Sequence, residues 1–139
     1  KIIAEKNPQY VLRFDAGEEV IGRLARFLAE QQVTGASVSG VGSAQEIEIS
    51  WYNLKTKEYE RQTFRQDLEI LSLMGTAAML EGKPALHLHG VFGRRDLSTI
   101  GGHVHRLVVL ATAELVITAM PDVELRRAKD ETTGLNLLQ

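Results

Sequence analysis

Hydrophobic and polar positions along this chain follow a helical period in only one sustained stretch. Over residues 18–31, Val20, Ile21, Leu24, Phe27 and Leu28 recur at spacings of three and four, which makes one apolar helix face, with Glu18 and Glu19 at its positive N-terminal end. The rest of the chain reads as strands. Residues 10–14, YVLRF, form a first strand that ends at Asp15-Ala16-Gly17. Residues 35–43, GASVSGVGS, are a small-residue strand whose three glycines mark a bulge or a close approach of another backbone or a ligand. Residues 45–52 alternate cleanly, with Ile47, Ile49 and Trp51 on one face and Glu46, Glu48 and Ser50 on the other. A turn over residues 53–57 leads into residues 59–64, which pair back as a hairpin. Residues 68–78 are apolar enough to lie near the sheet centre, despite the interruption at Gly75. Later come two apolar runs, 107–110 and 115–119, which form one long bent strand or two. A short edge strand at 123–128 and a docked tail at 130–139 complete the chain.

The expected architecture is an α+β fold: a mostly antiparallel sheet of about seven or eight strands with one main helix early in the chain, as a single domain over residues 1–139. Several strands carry more apolar residues than one helix can cover, which points to oligomerisation through the remaining sheet surface.

Composition narrows the function. With 139 residues, 44% hydrophobic and 24% charged, the chain can build a sizeable core. A formal charge of −2 argues against a surface built wholly for phosphate neutralisation. The adjacent basic pairs Arg94-Arg95 and Arg126-Arg127 read as solvated turns or strand edges. No stretch approaches the ~20 apolar residues of a membrane span, and the first residues lack the apolar run of a secretory signal, so a soluble, cytoplasmic protein is expected. Zero cysteines exclude disulfides and thiolate metal sites.

The chemistry concentrates between Pro84 and His105. All 4 histidines lie there as two His-x-His pairs, His87 with His89 and His103 with His105. Residues two apart on a strand share a face, so each pair aims two imidazoles into one space about 6–7 Å apart. Gly93-Arg94-Arg95-Asp96 and Ser98-Thr99 supply turn chemistry that folds the second strand back and brings the pairs face to face. Neutral imidazole suits Zn²⁺ and also Ni²⁺, Cu²⁺ and Fe²⁺. The residues themselves are equally compatible with polar histidines on a solvent face or core histidines satisfied by carbonyls. Pattern alone does not choose between His103 and His105.

Five stretches together carry a resemblance. They are the G-x-x-V-x-x-x-L-x-x-F order from Gly17 to Phe27, the run LEILSLMG from Leu68 to Gly75, His87-Leu88-His89, Gly101-Gly102-His103 and Thr133-Gly134-Leu135. The chain resembles the plant and prokaryote conserved (PPC) domain over nearly its whole length, and H-x-H followed by G-G-H is the most specific part. The resemblance implies an α+β fold assembled as a homotrimer, and in stand-alone prokaryotic members a divalent metal, usually zinc, held by His87, His89 and His103. His105 lies outside the shared pattern. The same domain occurs in plant AT-hook nuclear proteins, so a "putative DNA-binding" label is to be expected, but neither arginine pair here has the intervening glycine of a hook.

Two functions follow from different classes. One is a metal-binding, trimeric interaction module, with Gly101 and Gly102 letting backbone pass close to the metal and Glu69 or Glu114 as partners that fix an imidazole tautomer. The alternative is a zinc-dependent hydrolase or lyase acting on a small molecule at the fourth, open position of the metal. Its general acid or base would come from Glu69, Glu114 or Asp96, which sequence does not rank.

Overall fold

The computed structural model describes residues 1–139, the side chain of Glu5 excepted. Nine strands and one helix follow in chain order: β1 (Ile2–Lys6), β2 (Gln9–Asp15), α1 (Val20–Glu30), β3 (Ala36–Asn53), β4 (Glu58–Phe64), β5 (Leu68–Leu80), β6 (Lys83–Gly93), β7 (Thr99–Ala119), β8 (Arg127–Lys129) and β9 (Asn136–Leu138). The α+β class, the early helix and the antiparallel sheet agree with the sequence reading. Seven strands make the main sheet in the order β1-β2-β7-β6-β5-β3-β4, every ladder in it is antiparallel, and β8 and β9 form a separate pair.

One further pairing changes the architecture. β7 also pairs with β3, so β3, β5, β6 and β7 close into a ring. Closure depends on β3 bending midway. Its first half pairs with β5 and its second half with β4, and the ladder to β7 shifts register between Gly42 and Ala44 and again between Ala44 and Glu46. Gly42 has φ +153°, and a Cβ there would stand 2.3 Å from the Thr112 carbonyl oxygen, so only glycine lets the two backbones cross this closely.

The inward faces of the ring pack on one another and on α1. Val20, Leu24 and Leu28 of the helix are wholly buried with Leu73, Leu88, Phe92, Leu107 and Leu115. Burying one such leucine is worth about 1.5–3 kcal/mol. The helix begins two residues later than its charge pattern suggested, because Glu19 serves as the N-cap: its carboxylate accepts from the Ile21 and Gly22 N–H groups and, at 3.4 Å, from Leu107 N on β7. The same side chain thus caps α1 and ties it to the ring.

Several expectations need correction. β1 was not anticipated; it adds to the edge of β2. Residues 35–43 and 45–52 are one strand, since the glycines bend the chain without breaking it. Runs 107–110 and 115–119 are likewise one strand, which begins at Thr99 and carries His103 and His105. Trp51, placed on one face with Ile47 and Ile49, is 68% exposed where those two are buried, because the β7 ladder ends at Ser50 and Trp51 has only Glu60 of β4 beside it. The edge strand placed at 123–128 is β8, starting at Arg127 and pairing with the tail. Among the described residues no helix is long and apolar enough to cross a membrane.

Candidate metal centre

The β6–β7 hairpin builds the site. Its turn is set by Asp96, whose Oδ1 accepts from Ser98 N and Ser98 Oγ, and by Arg94 N donating to the Ser98 carbonyl, while Leu97 takes a left-handed φ of 69°. That turn fixes the register so that His89 lies directly opposite His103. Leu88 and Val104 point into the core between the histidines, which sends His87, His89, His103 and His105 to the outer surface of the ring. The expected facing of the two pairs is therefore present.

Three of the four imidazoles converge. One ring nitrogen from each of His87, His89 and His103 lies within 4.8 Å of the others, with His87 and His89 exposed and His103 half-buried. His87 Nε2 and His89 Nε2 are 3.1 Å apart. Two nitrogens bound at ~2.0–2.1 Å to one tetrahedral zinc stand about 3.3 Å apart, so this pair already has the separation that a shared ion requires. His105 turns away: its Nε2 lies 2.6 Å from Ser50 Oγ, a hydrogen bond whose donor depends on the tautomer. Ser50 pairs with His103 across the β3–β7 ladder, and its hydroxyl is the hydrogen-bond partner of His105. The Tyr59 ring, on β4, packs 4.9 Å from both the His103 and the His105 rings.

Desolvation disfavours the charged form of three imidazoles. Desolvation lowers the pKa of His87, with the charges of Arg127 and His89 adding to it. His103 is pushed down to about 4, first by burial and then by the neighbouring histidines. His105 is lowered too, again mainly by desolvation. Neutral rings with free lone pairs are what a divalent cation needs, and the set is all nitrogen, so the residues fit such an ion.

The cleft in front of the cluster is about 640 Å³. Among the described residues no Asp or Glu lines it, which corrects two expectations. Glu69 sits at the far end of β5 opposite Gly93, and Glu114 pairs with Arg13 on β2, so neither orients an imidazole. Asp96 is committed to the hairpin turn. Gly101 and Gly102 also act otherwise than expected. A Cβ at Gly102 would stand 2.6 Å from the Ser50 carbonyl and one at Gly101 2.8 Å from that of Gly90, so these glycines permit strand-to-strand approach and place His103 indirectly.

Residues that sequence reasoning passed over complete the walls. Ser50, Tyr59 and Arg61 come from the β3–β4 hairpin, and Arg127 from β8. Arg127 was read as a solvated strand edge. It is half-buried, donating to Thr76 Oγ1 at 2.8 Å and to the Asn136 carbonyl at 3.1 Å. No local signal distinguishes it from Arg126, because its burial comes from the tail folding over β5. Tyr52 fastens that tail by donating to the Thr133 carbonyl at 2.7 Å.

A closed antiparallel ring packed against one helix, with a histidine triad on its outer wall, defines an α+β class of domain. The sequence profile of the Plants and Prokaryotes Conserved (PCC) domain matches residues 3–121, and the chain belongs to that family. It is similar to the crystal structure of a putative DNA-binding protein from Bacteroides thetaiotaomicron, with 27% identity, 98% of this chain and 94% of that chain covered, and a TM-score of 0.93. A metal-containing protein from Archaeoglobus fulgidus is 30% identical over 100% of this chain and 96% of its own, with a TM-score of 0.89. A plant- and prokaryote-conserved protein from Pyrococcus horikoshii, 24% identical over 94% of this chain and 90% of that one with a TM-score of 0.89, shares the fold. No curated protein matches the chain.

Proposed function

We propose that this protein is a single-domain, homotrimeric interaction module that binds a divalent metal, zinc in the first instance, through His87, His89 and His103. The observation that carries the reading is the convergence of three imidazole nitrogens within 4.8 Å on one wall of a cleft. The A. fulgidus relative, described as metal-containing, supports it. Bound there, the ion would supply a Lewis-acidic centre able to take one more donor. The chain's own residues do the rest. Burial keeps His103 unprotonated, Ser50 holds His105 out of the cluster, and Tyr59 walls its side.

Self-association is supported by an apolar row beside the cluster. Met74, 60% exposed, pairs with His89 across the β5–β6 ladder, and Leu71 and Val91 continue the exposed surface. The ring's inner face covers itself, so contact between copies is motivated by outer apolar residues such as this row. Contact with nucleic acid has weaker support: the B. thetaiotaomicron relative is described as a putative DNA-binding protein, yet Arg13, Arg23, Arg26, Arg61, Arg106 and Arg126 are each paired with a carboxylate here. As for the hydrolase or lyase alternative, the cleft's lack of a carboxylate would leave His105 as its proton acceptor and the Tyr59 hydroxyl as a donor.

The deciding experiment is metal content per subunit after purification without a polyhistidine tag or added metal, together with the mass in solution. About one zinc per subunit in a trimer, absent from His87→Ala, is expected. A wild type that neither carries metal nor takes it up from micromolar Zn²⁺ would overturn the metal reading, and a monomer at micromolar concentration would overturn the assembly.

A further inference from the structure

The cleft holds a cation that nothing in the fold balances. Among the described residues no carboxylate comes within ion-pair distance of Arg127, whereas Arg61, in the same cleft, is 2.7 Å from Glu48 and Arg126 is 2.9 Å from Glu124. The Arg127 guanidinium is also incompletely bonded. Its two terminal nitrogens donate to Thr76 and Asn136, but Nε is buried with no partner. Leaving a charged donor half-buried and unpaired is costly, and natural structures keep such groups where an incoming ligand satisfies them. Arg127 is moreover close enough to the triad that its charge makes His87 harder to protonate.

We infer that the cleft is a receptor for a short-chain carboxylate anion, whose carboxylate pairs with Arg127 while its body lies against Leu80, Leu86, Leu135 and Leu137 and a second oxygen reaches the triad's metal. The last element rests on the metal reading above; the pairing with Arg127 does not. Nη2 has a second N–H beyond the one given to Thr76, which can donate to a carboxylate oxygen as a charge-assisted hydrogen bond. A cleft of about 640 Å³ falls within the ordinary range for small-molecule sites. The apolar wall favours an aliphatic acid over inorganic phosphate, and Arg127, the one arginine of the cleft without a carboxylate partner, does not by itself make the run of cations that tracks a nucleic-acid backbone. The β8–β9 pair carries Arg127, Leu137 and the Asn136 carbonyl, so the tail forms one wall of the receptor.

The test is isothermal titration of the full chain, zinc-loaded and separately chelator-stripped, with malonate and 2-hydroxybutyrate as probes and with inorganic phosphate and a 12-residue single-stranded DNA as competitors for the assignment. Wild type, Arg127→Gln, Arg127→Lys and Arg126→Ala are compared, with bound zinc and thermal midpoint measured for each. Expected are saturable binding of the carboxylates, a loss of at least tenfold in Arg127→Gln, a smaller loss in Arg127→Lys, and no change in Arg126→Ala. Zinc content should stay equal across the four. Folded Arg127→Gln that binds carboxylate as wild type does would overturn the inference, as would a zinc-replete wild type that gives no carboxylate signal or prefers phosphate or DNA. Should Arg127→Gln fail to fold, equal binding by Arg127→Lys and wild type has the same force. If wild type takes up no zinc, the metal reading falls. Arg127-dependent carboxylate binding to the stripped protein then sustains the receptor, and its absence ends both.

Discussion

Gly75 ties the ring to the histidine site more tightly than any other residue. It pairs with Leu88 across the β5–β6 ladder, between Met74 opposite His89 and Thr76 opposite His87. A Cβ built on Gly75 would stand 1.9 Å from the His87 carbonyl oxygen and 2.9 Å from both the His87 carbonyl carbon and the Leu88 Cα, where real Cβ atoms keep at least 3.0 Å. The obstruction is backbone and cannot be relieved by a rotamer change. Gly75→Ala must therefore push β6 outward by about an ångström in the segment that holds two of the three imidazoles. Overpacking of this kind costs ~1–3 kcal/mol. For a chain of this size that corresponds to a fall in Tm of roughly 3–12 °C. Displaced ligands should also weaken zinc by the ~10–100-fold typical of lost supporting contacts. Thermal unfolding with and without zinc, and competition against a chromophoric chelator, measure both. Gly22→Ala in the first turn of α1 is the control, since its Cβ would meet only the end of the flexible Glu19 side chain, at 3.1 Å. A Gly75→Ala protein within a degree of wild type and with unchanged zinc affinity would refute the claim that close passage of β5 positions His87.

Two other outcomes follow from the same geometry. Because the folded-state pKa of His87, His103 and His105 lies below the ordinary value, the unfolded chain binds more protons than the folded one between about pH 6.5 and the depressed values, near 4 for His103. The chelator-stripped protein should lose stability steadily as pH falls through that window, and equal urea midpoints at pH 7 and pH 5 would contradict it. Tyr52→Phe removes the hydrogen bond to the Thr133 carbonyl, worth ~1 kcal/mol, and should raise hydrogen exchange over residues 130–138 without changing the core; unchanged protection there would show that the tail is held by something else.

Much of the site was legible because its signals are local. The His-x-His pairs share a face through the period of two, and the turn residues between them set the register that brings His89 opposite His103. What stayed hidden depends on distant segments meeting. Ser50 removes His105 from the cluster across a separation of 55 residues, and Arg127 reaches the cleft only because the tail folds back over β5. Glu69 and Glu114 were attractive by composition and lie elsewhere, because a carboxylate's place on a strand says nothing about which neighbour the strand acquires.

The sequence by itself determined the one helix, most of the strands, the shared face of each His-x-His pair and the absence of thiolate chemistry, since each is fixed by residue type or by periodicity over a few neighbours. Only the tertiary structure decided that the sheet closes on itself, that three imidazoles and not four converge, and that an unpaired arginine shares their cleft. Ring closure is a long-range pairing between β3 and β7, made possible by a bend at Gly42 that no period records. Once it forms, the positions of Ser50, Tyr59 and Arg127 around the histidines follow from which surfaces are left to meet.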